Sequence, residues 1–162
     1  MPRAVVGIGS NIARETNVRA ALAALRAHYG PVRPSRVYEN RAIGFDGAPF
    51  YNLVATFDTA ENPESVVAKL HAIEQPQGRV RGAAKFGPRT IDLDLLLYGD
   101  LVRDDGVLRL PRDEIRDYAC VLGPLAELLP DSVHPETGET FAQMWARFPQ
   151  SRQLLTPVEI EL

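Results

Sequence analysis

The 162-residue sequence contains one cysteine, Cys120, so no internal disulfide forms and a stapled secreted mini-domain is excluded. It has no long apolar run: residues 4–8 are too few for a signal-peptide core or a membrane span, and no membrane partner is expected. Lysine is almost missing. Only Lys69 and Lys85 stand among 18 basic residues, so arginine identity alone carries little information. No G-x-x-x-x-G-K-[ST] stretch occurs, and Gly7-Ile8-Gly9 is followed by Ile12 where a dinucleotide fingerprint needs its third glycine. Repeats, low-complexity tracts and Ser/Gly linkers are also missing. These absences predict one domain spanning residues 1–162 in a reducing cytoplasm.

What is present is a globule with 45% hydrophobic and 24% charged residues, enough for one sizeable core. Its net charge of −3 gives no global pull on nucleic acid, so any anion must be bound by a local cluster of cations. A monomer acting on small molecules is the expectation.

Residues 3–9 read as a buried strand and 14–29 as a helix, with Val18, Ala21, Leu22, Leu25 and Tyr29 at helical spacing before Gly30 stops it. A weaker strand is predicted over 32–39 and a well-alternating one over 50–58. Asn62 and Pro63 open a second helix to about 75, with Val66, Leu70 and Ile73 as its apolar stripe. After a loop over 76–89 comes the strongest strand, 91–98, and then a hairpin within 99–110 around Asp105-Gly106. One helix is predicted within 112–129, another over 141–148, and a late edge strand from the alternation of Val158, Ile160 and Leu162. The β-α-β-β-α-β order predicts an α+β, ferredoxin-like antiparallel sheet with packed helices and C-terminal additions.

The strongest strand carries two acids. Alternation puts Ile91, Leu93, Leu95 and Leu97 on one face and Asp92 and Asp94 on the other, with Cα atoms roughly 6–7 Å apart. Neighbouring carboxylates suit a shared divalent cation, though a solvated sheet face explains them equally well. The flanking loop favours the cation. Arg79, Arg81, Lys85 and Arg89 fall in eleven acid-free residues, where even spacing would leave about one cation. Carboxylates for Mg²⁺ beside an arginine-rich loop are what a nucleotide triphosphate requires.

The stretches Gly9-Ser10-Asn11, Phe50-Tyr51-Asn52, Ile73-Glu74, Gly78-Arg79-Val80-Arg81 and Gly87-Pro88-Arg89-Thr90-Ile91-Asp92-Leu93-Asp94 resemble the 6-hydroxymethyl-7,8-dihydropterin pyrophosphokinases of folate biosynthesis, over roughly residues 4–130. The resemblance implies transfer of the diphosphate of ATP to the pterin hydroxymethyl oxygen, yielding AMP, with two Mg²⁺ ions. It implies that Asp92 and Asp94 hold the ions and that Arg79 and Arg89 grip the phosphates through the transition state. His71, Glu74, Arg81, Arg89 and Arg112 are implied at ATP, and Ile43, Gly44, Phe50, Asn52, Phe86, Asp92 and Cys120 at the pterin. Without the family, Glu74 reads as a helix-surface acid, His71 as half-buried and Phe50 as core.

Three places depart from the family pattern. Arg112-Asp113 follow Pro111 where His-Tyr is common; Asn40-Arg41-Ala42-Ile43-Gly44 replaces Thr-x-Pro-x-Gly; and Cys120 stands where an aromatic ring is expected, at a cost of about 1 kcal/mol of stacking. Phe86 occupies a position where the family often carries Trp. The thiol reads as a small buried hydrophobe rather than a nucleophile. ATP and Mg²⁺ use is expected to be kept, with the pterin held more weakly or exchanged for a related heterocycle. Two other readings stay open: a paralogue acting on a different small alcohol, and a nucleotide sensor that binds ATP without forming AMP. RNA binding is disfavoured, because the central strands lack paired aromatics in a basic setting. His28 and His134 show no metal-ligand spacing and are expected at the surface.

Overall fold

A computed structural model describes residues 1–41, 47–75, 91–149 and 153–162. Strand β1 (Arg3–Ser10) leads into α1 (Arg14–Tyr29), followed by β2 (Arg33–Pro34), β3 (Val37–Asn40) and β4 (Phe50–Asp58). Helix α2 (Pro63–Glu74) precedes β5 (Asp92–Tyr98). The chain then forms the hairpin β6 (Arg103–Asp104) and β7 (Arg109–Leu110), helices α3 (Glu114–Asp117), α4 (Ala119–Leu128) and α5 (Phe141–Arg147), and strand β8 (Thr156–Val158). The main sheet runs β5-β1-β4-β3-β8, with β2 also on β4, and these pairings are antiparallel. This is the expected ferredoxin-like arrangement with hairpin and helical additions.

Local chemistry explains the element ends. The Asn62 side chain accepts from the Ser65 N–H at 2.8 Å to start α2, and Gly30, at φ 82°, ends α1. The strand expected over 32–39 is split because Ser35 bonds across to Val54 with both its backbone and its hydroxyl: Ser35 N–H to Val54 O at 2.8 Å, and Val54 N–H to Ser35 Oγ at 3.1 Å. The helix expected within 112–129 is likewise two helices. At the break, Gln153 Oε1 accepts from the Ala119 N–H at 2.9 Å and Gln153 Nε2 donates to the Asp117 carbonyl at 3.0 Å, so a side chain from the C-terminal segment serves both helix ends.

The sheet is apolar on both faces. On one, Val18, Leu22 and Leu25 of α1 and Val66, Leu70 and Ile73 of α2 pack on Ile8, Leu53, Ala55, Phe57, Leu93 and Leu95. On the other, Ile115, Leu122, Leu125, Phe141 and Met144 cover Val5, Val54, Leu96 and Leu97. Leu97 therefore does not share a face with Ile91, Leu93 and Leu95, as strict alternation predicts. A register shift at Val5/Val6 puts one extra residue into β5 and turns both Leu96 and Leu97 toward the second layer.

His28 is exposed, as expected, but His134 is not: it retains only 1% of its accessible surface. Its Nδ1 accepts from the N–H groups of Glu136 (3.1 Å) and Thr137 (3.2 Å), so the ring organises the turn before α5 and carries its proton on Nε2. Burial and the charges of Arg116 and Arg109 push its pKa below 6.5, against the opposing pull of Glu136 and Glu139. Unfolded, the ring takes a proton near its ordinary value; folded, it resists. Stability is therefore complete above about 6.5 and declines as pH falls below it. Thermal melts of the wild type against His134→Gln test this: the melting temperature of the wild type should fall more steeply between neutral and pH 5.

Candidate active site

The two acids sit at the start of the edge strand β5, both half-buried. The register aligns Asp92 with Gly9 and Asp94 with Gly7 on β1, and Gly9 in turn with Asn52 on β4. Residues paired across antiparallel strands point to the same face, so Asp92 and Asn52 flank a position that has no side chain, about 10 Å apart at their backbones. The glycine is required. A Cβ at Gly9 would lie 2.8 Å from Asn52 Oδ1 and 3.8 Å from the Phe50 ring, so both of those side chains lean over it. The result is a trough with a glycine floor, carboxylates on one wall, and an amide and an aromatic ring on the other.

Each wall is held from behind. Asn52 Nδ2 donates to Asn40 Oδ1 on the neighbouring strand, which gives a place to one residue of the divergent 40–44 stretch. The approach to β4 is tied to the end of β1, where the buried Asn11 donates from Nδ2 to the Ala48 carbonyl at 3.2 Å. Arg14 lies 3.9 Å over the Tyr51 ring and pairs with Glu39 at 2.8 Å. These contacts fix where Phe50 and Asn52 begin.

Glu74 is buried and His71 exposed, the reverse of the plain helix-surface reading. The Glu74 Oε2 accepts from the Leu93 N–H at 2.9 Å, so α2 is pinned to the β5 edge between the two acids. Beyond β5, the Arg112 N–H donates to the Leu96 carbonyl at 3.0 Å, which brings Arg112 to the acidic wall. Burial works against the charge of Arg112, but Asp94, Glu114 and Asp92 together outweigh it and raise the guanidinium pKa. A cation and two carboxylates thus meet at one end of the trough.

Cys120 lies in the first turn of α4, the helix that packs on this same sheet face. Its burial pushes the thiol up to about 11, so it stays protonated at neutral pH and is no nucleophile. Ile43, Gly44, Arg79, Arg81, Lys85, Phe86 and Arg89 lie outside the described residues. The sequence marked Gly9 only within a family motif and Asn40 only as a departure from one; the floor formed by Gly7 and Gly9, the bond from Asn52 to Asn40 and the partner Glu114 were not foreseen. Two glycines at period two inside an otherwise apolar strand were the available signal for the floor.

Comparison with known proteins follows the same lines. Residues 5–130 match the family described as 7,8-dihydro-6-hydroxymethylpterin-pyrophosphokinase (HPPK). A 2-amino-4-hydroxy-6-hydroxymethyldihydropteridine pyrophosphokinase of Synechocystis is 40% identical over 144 residues, which cover 87% of this chain and 73% of the relative. The Pseudomonas aeruginosa protein of the same name is 39% identical over 83% of this chain and 85% of its own length. Among solved structures, wild-type HPPK-DHPS of Plasmodium falciparum superposes with a TM-score of 0.72 at 14% identity over 93% of this chain and 45% of that larger one. At that identity the likeness concerns the fold alone.

Proposed function

The chain belongs to the 7,8-dihydro-6-hydroxymethylpterin-pyrophosphokinase family, and on that premise we propose how its residues divide the work. It is an ATP-dependent diphosphotransferase of folate synthesis, moving the diphosphate of ATP to the hydroxymethyl group of 6-hydroxymethyl-7,8-dihydropterin. The pterin oxygen forms a bond to the β-phosphorus, the bond from that phosphorus to the α-phosphate oxygen breaks, the hydroxyl proton is released, and AMP leaves.

The observation that carries the division of labour is the trough. Asp92 and Asp94 offer adjacent carboxylate oxygens on one wall, a donor set that suits a hard cation, and they would hold two Mg²⁺. Bound there, the ions would neutralise phosphate charge. Phe50 stacks on the pterin and Asn52 reads its edge, across a floor low enough for a flat ring to approach the backbone. Arg112 faces the phosphates beside the acids, and Arg79, Arg81 and Arg89 would bind the same phosphates. His71 and Glu74 border the nucleotide from α2, with Glu74 acting chiefly by fixing the strand that carries the acids. Ile43, Gly44 and Phe86 complete the pterin pocket. The whole chain, 1–162, acts as one unit, as a monomer in the cytoplasm. No helix among the described residues is long and apolar enough to cross a membrane.

Incubation with ATP, Mg²⁺ and hydroxymethyldihydropterin should yield AMP and the pterin diphosphate in equal amounts, and AMP formation without pterin diphosphate would overturn the assignment. Cys120 supplies no second ring, so Cys120→Phe should tighten pterin binding about fivefold, read by titration calorimetry. An unchanged pterin affinity would remove Cys120 from the pocket.

A further inference from the structure

We propose that Glu114, which no part of the family pattern marks, is a positioning residue for phosphate transfer: it aims the Arg112 guanidinium at the nucleotide phosphates beside Asp92 and Asp94. The inference rests on the reading of the trough given above. Arg112 is anchored at its backbone, through the bond from its N–H to the Leu96 carbonyl, two residues past Asp94 on the same strand. Its side chain is anchored separately. Glu114 Oε2 accepts from Arg112 Nε at 2.8 Å and lies 2.6 Å from Arg112 Nη2.

The geometry decides which donors remain. A guanidinium has five N–H groups, and Glu114 takes the edge formed by Nε and one Nη2 hydrogen. The end formed by Nη1 and the other Nη2 hydrogen is left for a second oxyanion, and it matches two phosphate oxygens. Glu114 is itself held in place. It is the first residue of α3, whose next residue, Ile115, is fully buried, and its carbonyl accepts from the Tyr118 N–H at 3.0 Å. Arg112 and Glu114 keep 38% and 29% of their side-chain surface, so the pair is open enough for a ligand to reach it.

A negative charge beside a polyanion site would by itself repel the nucleotide. If Glu114 acted only as a charge, its removal would tighten nucleotide binding. If it aims Arg112, removal loosens binding. The test is titration of the full-length protein with α,β-methylene-ATP and Mg²⁺, with a melting curve for each variant. Glu114→Ala should bind about tenfold more weakly, and Glu114→Gln, which keeps the shape and one acceptor, should weaken binding by less. Arg112→Ala should also lose affinity, and the double variant should be no weaker than Arg112→Ala alone, because the carboxylate acts through the guanidinium. Equal or tighter binding by Glu114→Ala, or losses that simply add in the double variant, would overturn the proposal. Should Glu114→Ala fail to fold, wild-type affinity in Glu114→Gln overturns it equally. A wild type that binds no nucleotide would instead strike at the functional reading itself.

Discussion

Asp94→Asn is expected to slow AMP formation by about a thousandfold or more, equivalent to roughly 4 kcal/mol of transition-state stabilisation, and Asp92→Asn to do the same. The amide keeps the size of the carboxylate and loses its charge, so what is removed is the hold on the cation rather than the packing of β5. The stability response separates this account from a merely solvated sheet face. At the roughly 6–7 Å spacing of their Cα atoms, two like charges repel by about 2.5 kcal/mol at an effective dielectric of about 20, and losing one relieves that repulsion. The same change weakens the attraction that Arg112 draws from the pair, an effect of opposite sign. The two offset, so the denaturation midpoint should hardly move while turnover collapses. A variant that keeps its activity would return both acids to the solvated-face reading, and one that unfolds would make them structural. Steady-state assays paired with urea melts distinguish these outcomes.

Gly9→Val should carry the second largest effect, through the opposite wall. The first added carbon lies 2.8 Å from Asn52 Oδ1, closer than real side chains approach, and the valine methyls extend toward the Phe50 ring. Asn52 is the far end of a flexible chain, so the fold has an escape: Asn52 swings away and gives up its bond to Asn40. Strand propensity improves with valine, and the net stability loss should stay near 1–2 kcal/mol. The site has no such escape. The floor rises, the amide leaves its place, and a ring misplaced by about 1 Å costs on the order of a hundredfold in kcat/KM for the pterin. The Kd for the nucleotide analogue should change far less, because the phosphates sit at the other wall. Equal losses for both substrates would contradict the division of the trough into two walls.

Much of the fold was legible because its signals are local. Helix α1 follows from the spacing of Val18, Ala21, Leu22 and Leu25, helix α2 from the Asn62 cap, and β4 from its alternation. What was hidden depends on residues distant in the chain. The break between α3 and α4 is stabilised by Gln153, whose amide arrives from the C-terminal segment. The register shift at Val5/Val6 leaves no trace in a run of leucines, since Leu96 and Leu97 are equally apolar whichever layer they join. His134 is buried by the turn it organises, a bonding pattern that composition does not announce.

The candidate site divides in the same way. Asp92 and Asp94 stood out because acids inside an apolar strand are costly without a purpose. Gly7 and Gly9 did not, because their meaning comes from what lies across the sheet: Asp94 and Asp92 on one side, Asn52 on the other. Glu74 illustrates a third case. Its spacing on α2 was visible, but its burial follows from the edge position of β5, whose Leu93 N–H meets no further strand among the described residues.

The most direct test of the account is a crystal grown with α,β-methylene-ATP and Mn²⁺, in which anomalous scattering locates the ions. The account predicts manganese within coordinating distance of both the Asp92 and Asp94 carboxylates, with phosphate oxygens on its far side and Arg112 against them. Manganese bound elsewhere, with both carboxylates turned away from the phosphates, would contradict it.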